Sequence, residues 1–187
     1  MASKKKYPGY LLAANPQNPR DDQLSQSLIL VISHTDRVAV GLQINNPVED
    51  MDLQTVARNI GMEFASNAPL YYGGLHAVNK IHVIHSNDWQ GLSTVKINDE
   101  LSVSNDISVL AAIAEGCGPE RYRACAGFWH WDDRRLDNQL DPRWRVEPHK
   151  WELIPATADL IFDGEGPDQW QAALEASAQW QSSRVWI

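Results

Sequence analysis

Apolar positions in the first half of the chain predict β-strands joined by short turns. Residues 28–33 are apolar at nearly every position, which is typical of a strand buried on both faces. In residues 38–44 the large apolar side chains stand at every second position, the period of a strand with one buried face. Since only residues 34–37 separate the two segments, we expect a β-hairpin.

Strand-like segments recur through the rest of the chain, interrupted by three predicted helices. The further strands are at 9–14, 70–72, 81–85, 94–97, 101–103 and 124–131. One helix begins at Asp52 and ends before Gly61, and a second ends at Gly116 after Ser104, whose hydroxyl we expect to cap its first amides. The last helix begins after Gly166. Strands outnumber helices, which favours an α+β domain over a regular βαβ alternation.

The bulk composition indicates one globular domain. The chain has 187 residues, 43% of them hydrophobic and 21% charged, which suits residues 9–187 as a single domain preceded by a flexible basic tail at 1–8. No run approaches the roughly 18 apolar residues of a membrane span, and no apolar region follows the basic start. Cys117 and Cys125 form no CxxC pair. We therefore expect a cytoplasmic protein with free thiols and no membrane association.

The charge balance bears on the choice of partner. A formal net charge of −8 disfavours general binding to nucleic acids. The charge is unevenly spread, because residues 121–150 carry seven basic and five acidic side chains, whereas residues 151–187 carry one and six. The two segments either neutralise each other on one surface or mark a partner site.

No motif for catalysis, cofactor binding or metal binding is complete. Gly73-Gly74 lacks the third glycine, the lysine and the Ser/Thr of a phosphate-binding loop, and GxSxG is absent. His82 and His85 are three residues apart, which on a strand directs them to opposite faces and disfavours a shared metal ion. We expect no cofactor, no metal and no catalytic residues.

An enzyme that binds a small molecule or nucleotide remains the alternative. It would use Gly73, Gly74, His85, Asp88 and Asp137, and it predicts a concave pocket where these five groups meet.

Tryptophan and arginine are concentrated late in the chain. Seven of the eight tryptophans follow residue 128. Protein interfaces favour Trp and Arg, so we predict a binding surface in this region, although the same side chains also pack well on each other. Its candidate residues are Trp129, Trp131, Arg134, Arg135, Trp144, Arg145 and Trp151.

Several segments, in this order, resemble the YqgE/AlgH family, also called UPF0301. They are Gly9-Tyr-Leu-Leu-Ala-Ala-Asn-Pro16 with residues 27–34, Gly41-Leu-Gln-Ile-Asn45-Asn-Pro47, Tyr72-Gly73-Gly74 with His82-Val-Ile-His85 and Asp88-Trp89, residues 104–119, and Ala126-Gly-Phe-Trp-His-Trp131. The chain departs from the family at 134–139, where Arg134 to Gln139 replace its Gly-Gln-Leu-Glu-x-Glu, and the Trp/Arg-rich segment at about 134–155 is longer.

The resemblance implies a single α+β domain whose antiparallel sheets curl into an irregular barrel-like core with flanking helices. Members of the family are commonly labelled transcriptional regulators, with no catalytic residues assigned. We therefore expect a non-enzymatic, cytoplasmic regulatory or adaptor protein that binds another macromolecule, with protein favoured over nucleic acid. Sequence-specific DNA binding stays a further hypothesis, against which stand the net charge and the lack of a helix-turn-helix signature.

Overall fold

Short strands and helices alternate along the chain in the computed structural model, which describes residues 6–17, 23–64, 67–141 and 151–184. The strands are β1 (Tyr10–Ala14), β2 (Leu28–His34), β3 (Ala39–Gln43), β4 (Pro47–Asp52), β5 (Pro69–Tyr72), β6 (His76–Ser86), β7 (Val95–Lys96), β8 (Leu101–Ser104), β9 (Tyr122–Trp131) and β10 (Trp151–Pro155). The helices are α1 (Leu53–Asn59), α2 (Ile107–Ala114), α3 (Arg135–Leu140), α4 (Ala158–Phe162) and α5 (Gly166–Arg184).

Nearly all strand pairs are antiparallel. The main path through the sheet runs β10-β1-β2-β3-β9-β6-β8-β7, and the β4–β5 pair joins it where β5 lies parallel to β9. The predicted hairpin is present, with Ile29 opposite Gln43 and Leu30 opposite Leu42. This arrangement confirms the predicted α+β class, and the sheet curls into a half-barrel.

One face of the curled sheet forms an inner core. Leu11 of β1, Leu42 of β3, Leu101 of β8 and Ile154 of β10 belong to the same buried cluster. Strands at both ends of the path thus contribute to it, because the sheet bends round to enclose them. Helices α4 and α5 cover this core, and Trp170 donates its indole N–H to the carbonyl of Ala14 at 2.9 Å.

The opposite face is covered in two places. Leu53 of α1 and Leu110 of α2 pack with Val83 and Leu70 on one part of the sheet. Leu136 of α3 packs with other strand residues on the second part. The half-barrel therefore has helices on both sides.

Four elements were not predicted from the sequence: strands β4 and β10 and helices α3 and α4. They have no clear period in the sequence. The two strands are defined by pairing with β5 and β1, and the two helices by packing against the sheet. The cap of α2 is also different, since Asp106, not Ser104, accepts a hydrogen bond from the first turn, at 2.8 Å from the amide of Ser108. The expectation for Ser104 was wrong because its hydroxyl has a buried partner, described below.

Candidate functional site

The inner core reaches solvent at a half-open cleft with a volume of about 430 Å³. We call it the inner cleft. Residues from β2 and β3 form one side and residues from β6, β7 and β8 the other, and Phe128 comes from β9, which lies between β3 and β6 in the sheet. Its lining residues are Ile32, Ser33, Val40, Lys80, His82, Ser93, Val95, Ile97, Val103, Asn105 and Phe128.

The floor of the inner cleft is apolar because it is an extension of the inner core. Val103 is a buried member of that core, and Ile32, Ile97 and Phe128 pack against it while lining the cleft. The cleft therefore ends against packed side chains. A volume of this size with an apolar floor and a few polar groups is the usual form of a binding site.

His82 lies in the wall of the inner cleft and is 7% exposed. Its ring meets Phe128 edge to face, with 5.8 Å between the ring centres. Its Nδ1 is buried and has no hydrogen-bond partner among the described residues. Burial, and secondarily the charge of Lys80, lower the pKa of His82, so the imidazole is neutral at pH 7. An unpaired polar nitrogen beside a cleft is a feature that ligand sites favour.

Lys80 is the single formally charged residue in the described lining of the inner cleft. It is exposed, and no ion pair joins it to a carboxylate in the part of the chain that the structure describes. Lys80 and His82 are two residues apart on β6 and both line the cleft, as expected for alternate positions of a strand.

Large exposed apolar side chains flank the lining residues along the chain, and we call Val95, Leu92, Val78 and Ile107 the rim. Val95 lines the cleft and is 59% exposed. Leu92, Val78 and Ile107 are fully or more than half exposed, and each lies within two residues of a lining residue. Exposed apolar side chains near an apolar cleft are typical of surfaces where another molecule binds.

The structure buries two tryptophans of the predicted Trp/Arg surface. Trp131 is 6% and Trp151 1% exposed, and their rings meet edge to face at 6.4 Å. Trp151 also donates its indole N–H to Oε1 of Gln139 at 2.9 Å. Both belong to the core beneath α3 and are not available to a partner. The prediction treated them as surface because composition does not distinguish a packed tryptophan from an exposed one.

The remaining candidates of that surface differ in exposure. Trp129 is half-buried and donates to Oε1 of Gln43 at 3.2 Å. Arg134 and Arg135 are exposed at the start of α3. Trp144 and Arg145 lie outside the described residues.

The glycine pair of the alternative pocket has a packing role. Gly73 donates its amide to the carbonyl of Ala126 at 2.8 Å. A Cβ atom on Gly73 would collide with the carbonyl of Gly127, and one on Gly74 with the backbone of Phe128. Both glycines are needed because β5 and β9 approach closely at this point.

His85 lies elsewhere and is fully buried. Its Nδ1 faces the carbonyl of Ser86 at 2.8 Å and therefore carries the proton, so its Nε2 accepts from the Ser104 hydroxyl at 2.9 Å. This bond occupies the hydroxyl that the sequence assigned to helix capping. Thr94 lies 2.8 Å from the same hydroxyl and completes a buried chain.

The acidic members of the alternative pocket are separated as well. Asp88 accepts from the amide of Glu120 at 2.8 Å, near the end of β6. Asp137, on α3, lies 3.5 Å from Nε2 of His34. The structure thus does not bring Gly73, Gly74, His85, Asp88 and Asp137 into one pocket.

Two further findings concern metal binding and membrane crossing within the described residues. No three His, Cys, Asp or Glu side chains there come close enough to hold a metal ion. No helix in the described ranges has both the length and the apolar character needed to cross a membrane.

Sequence reasoning missed the inner cleft. It considered His82 only as a metal ligand, and it did not consider Lys80 at all. The available signal was the alternation of Val78, Lys80 and His82, which places two polar groups and an exposed valine on one face of a strand. Their approach to Ile32 and Val40 depends on the curl of the sheet, and a local pattern does not contain that information.

Comparison with known proteins finds relatives that match most of this chain. A family model described as AlgH-like matches residues 11–180. The chain is 32% identical over 170 residues to a UPF0301 protein of Sphingopyxis alaskensis, covering 90% of this chain and 87% of the relative. It is 33% identical over 171 residues to a UPF0301 protein of Methylococcus capsulatus, covering 89% of each.

Solved structures share the fold. The solution structure of the AlgH protein from Pseudomonas aeruginosa superposes with a TM-score of 0.77 at 25% identity, covering 95% of this chain and 92% of that one. The crystal structure of protein DIP2367 from Corynebacterium diphtheriae gives a TM-score of 0.69 at 19% identity, covering 92% and 87%, and that likeness concerns the fold alone.

Proposed function

This chain belongs to the AlgH-like family, and we propose that it is a non-enzymatic, cytoplasmic regulatory or adaptor protein that binds a partner protein in the inner cleft. The observation that carries the proposal is the apolar floor of the cleft together with the exposed Val95 in its lining and the exposed apolar residues that flank the lining residues along the chain. Such a surface gains free energy when a partner covers it, roughly 25 cal/mol for each Å² of apolar area removed from water.

The polar groups of the cleft support binding more than catalysis. The described lining offers a neutral imidazole, one ammonium, two serines and one amide, but no carboxylate or thiol. His82, the candidate general base, has no carboxylate orienting its ring, and burial makes it a weaker base.

A protein partner is favoured over nucleic acid and over a small ligand. One lysine in the lining is far fewer than the several phosphate contacts that a nucleic acid requires, and the chain carries a net charge of −8. A small ligand would fill the cleft and leave Leu92, Val78 and Ile107 exposed. A protein segment covers both the floor and the rim.

Site-specific photo-crosslinking in cells of the native host tests this proposal. A benzophenone amino acid replaces Leu92 at the rim or, as the control, Ile60 at the end of α1, which is also exposed. We expect a crosslinked protein from position 92 that is absent from position 60. Adding Val95→Asp should remove it, since an aspartate beside the floor would oppose apolar contact.

Two results would contradict the proposal. One is identical crosslinking from positions 92 and 60, and the other is a crosslink at 92 that Val95→Asp leaves unchanged in a folded protein.

A further inference from the structure

We infer that the inner cleft binds the carboxyl-terminal end of a partner chain, with an aliphatic side chain on the floor and the terminal carboxylate on Lys80. This inference rests on the proposed function and names the chemistry of the partner segment.

The shape of the cleft favours a chain end. Its floor consists of Ile32, Ile97 and Phe128 packed on the inner core, so the cleft opens to solvent and does not pass through the protein. A segment from the middle of a chain must enter and leave on the same side. A terminus needs a single entry, and capture of a terminal carboxylate is a recurring mode of peptide recognition.

The aliphatic residues of the cleft favour an aliphatic side chain on the last residue of the partner. Ile32, Val40, Val95, Ile97 and Val103 supply branched aliphatic walls within one cleft of about 430 Å³. Branched or straight aliphatic side chains fill such a space without an unsatisfied polar atom. A charged side chain on the floor would lose its hydration next to these residues.

Lys80 supplies a positive charge for the terminal carboxylate of the partner. It lines the same cleft as the aliphatic floor, and no carboxylate of the described residues neutralises it. The ligand's anionic group must therefore be joined closely to its apolar group. The terminal residue of a chain meets this condition, because its carboxylate and its side chain are attached to the same Cα atom.

A neutral His82 is compatible with a carboxylate bound at Lys80. Its lowered pKa keeps the ring neutral at pH 7, so Lys80, two positions away on β6, is the one formally charged residue of the described lining. Ser33 lines the cleft with a hydroxyl that can donate to a carboxylate oxygen.

Titration with two matched peptides tests the inference. The probes are acetyl-Val-Ile-Val with a free carboxylate and the same peptide with a terminal amide, each followed by 15N–1H NMR shifts of the folded protein. We expect the carboxylate peptide to shift Val95, Ile97 and Val103 and to bind about two- to fivefold more tightly than the amide, the range of a partly exposed ion pair.

Lys80→Gln should abolish this preference, since it keeps a polar, slightly shorter side chain and removes its charge. Lys96→Gln is the matched control, because Lys96 is on β7, which β8 separates from β6, and already pairs with Asp99 at 3.2 Å. It should leave the preference intact.

Equal affinity for the two peptides in the wild-type protein, or no shift of cleft residues by either, would overturn this inference. The crosslink at position 92 would still decide the proposed function by itself. A crosslinked partner without a carboxylate preference removes only the terminal recognition, whereas loss of the crosslink removes the proposed function.

Discussion

The guanidinium of Arg123 lies 4.1 Å from the centre of the Tyr71 ring, and Arg123 is only 5% exposed. It donates to Oε1 of Gln169 at 3.0 Å and to the carbonyl of Gly164 at 2.9 Å. It also donates to the carbonyl of Ile44. A single side chain of β9 thereby fastens the loop between α4 and α5 to the sheet, using carbonyl oxygens and an aromatic face.

Replacing Arg123 should cost much of the protein's stability. Arg123→Met keeps a long apolar stem but removes the donors to Ile44, Gln169 and Gly164, so buried acceptors lose their partners. We expect the free energy of unfolding to fall by roughly 2–4 kcal/mol, as measured by urea denaturation.

Arg121→Met is the matched control for Arg123. Arg121 is two residues away and pairs at the surface with Asp159 at 3.0 Å and with Asp163 at 2.6 Å. Exposed pairs contribute about 0.2–1 kcal/mol, so the control should cost much less. Equal losses of unfolding free energy in the two variants would show that the stabilising effect of Arg123 does not depend on its burial.

Local patterns in the sequence account for the elements that periodicity defines. The β2–β3 hairpin follows from consecutive and alternating apolar residues, and α5 follows from Gly166 and the pattern after it. Strand β10 begins with Trp151 and is held mainly by pairing with β1, 137 or more positions away in the sequence. A strand defined by so distant a partner has little local signal.

The candidate site was harder to predict than the fold for the same reason. Lys80 and His82 are close in sequence, but Ile32 and Val40 reach them only through the curl of the whole sheet. Trp131 and Trp151 show the opposite error, since an unusual composition indicated a surface and long-range packing made it a core.

The two cysteines should differ sharply in reactivity. Cys125 is fully buried, and burial raises the pKa of its thiol to about 12, so almost no thiolate exists at pH 8. Cys117 is exposed. A thiol reagent such as dithionitrobenzoate should label one cysteine rapidly in the native protein and both in denaturant, and Cys117→Ser should remove the rapid phase. Rapid labelling that survives this substitution would contradict the burial of Cys125.

Asp106 should stabilise α2 in its ionised form. Hydrogen bonds from Ser108 and Ser93 hold the pKa of Asp106 at about 2. Since this pKa lies below the ordinary value, the stabilisation is present above pH 4 and is lost as the pH falls towards 2. Asp106→Ala should reduce the free energy of unfolding by about 1 kcal/mol at pH 7, the usual cost of losing an N-cap.

A comparison of Asp106 with Ser104 separates the two roles. Ser104→Ala should also destabilise the protein, because it leaves the buried Nε2 of His85 without its donor. It should not alter the amide exchange of the first turn of α2, whereas Asp106→Ala should accelerate it. Faster exchange in both variants would show that Ser104 also contributes to the cap of α2.

The buried histidine of the inner cleft should make the fold sensitive to mild acid. Burial lowers the pKa of His82 in the folded state below its ordinary 6.5, so the unfolded chain binds a proton first as the pH falls. The contribution of the neutral ring is complete above about pH 6.5 and decreases below it. Urea denaturation at pH 7.5 and pH 5.5 should therefore show a smaller difference for His82→Gln than for the wild type.

His85 limits how far that difference can shrink, because burial lowers its pKa as well. Asn79→Ser, on the same strand but exposed and without a titrating group, should preserve the wild-type difference. An unchanged pH dependence in His82→Gln would show that His82 does not contribute to the loss of stability in acid.

Replacing Trp151 should lower the stability of the protein and should not directly affect partner binding. Its ring is buried against Trp131, and its indole N–H bonds to Gln139. Trp151→Phe removes that donor and leaves space in the core, so the free energy of unfolding should fall by about 2 kcal/mol. Trp180→Phe on α5, where 38% of the residue is exposed, should change it by about 0.5 kcal/mol or less. If Trp151→Phe instead weakened crosslinking at position 92 with stability unchanged, the binding surface would include the ring that the structure places in the core.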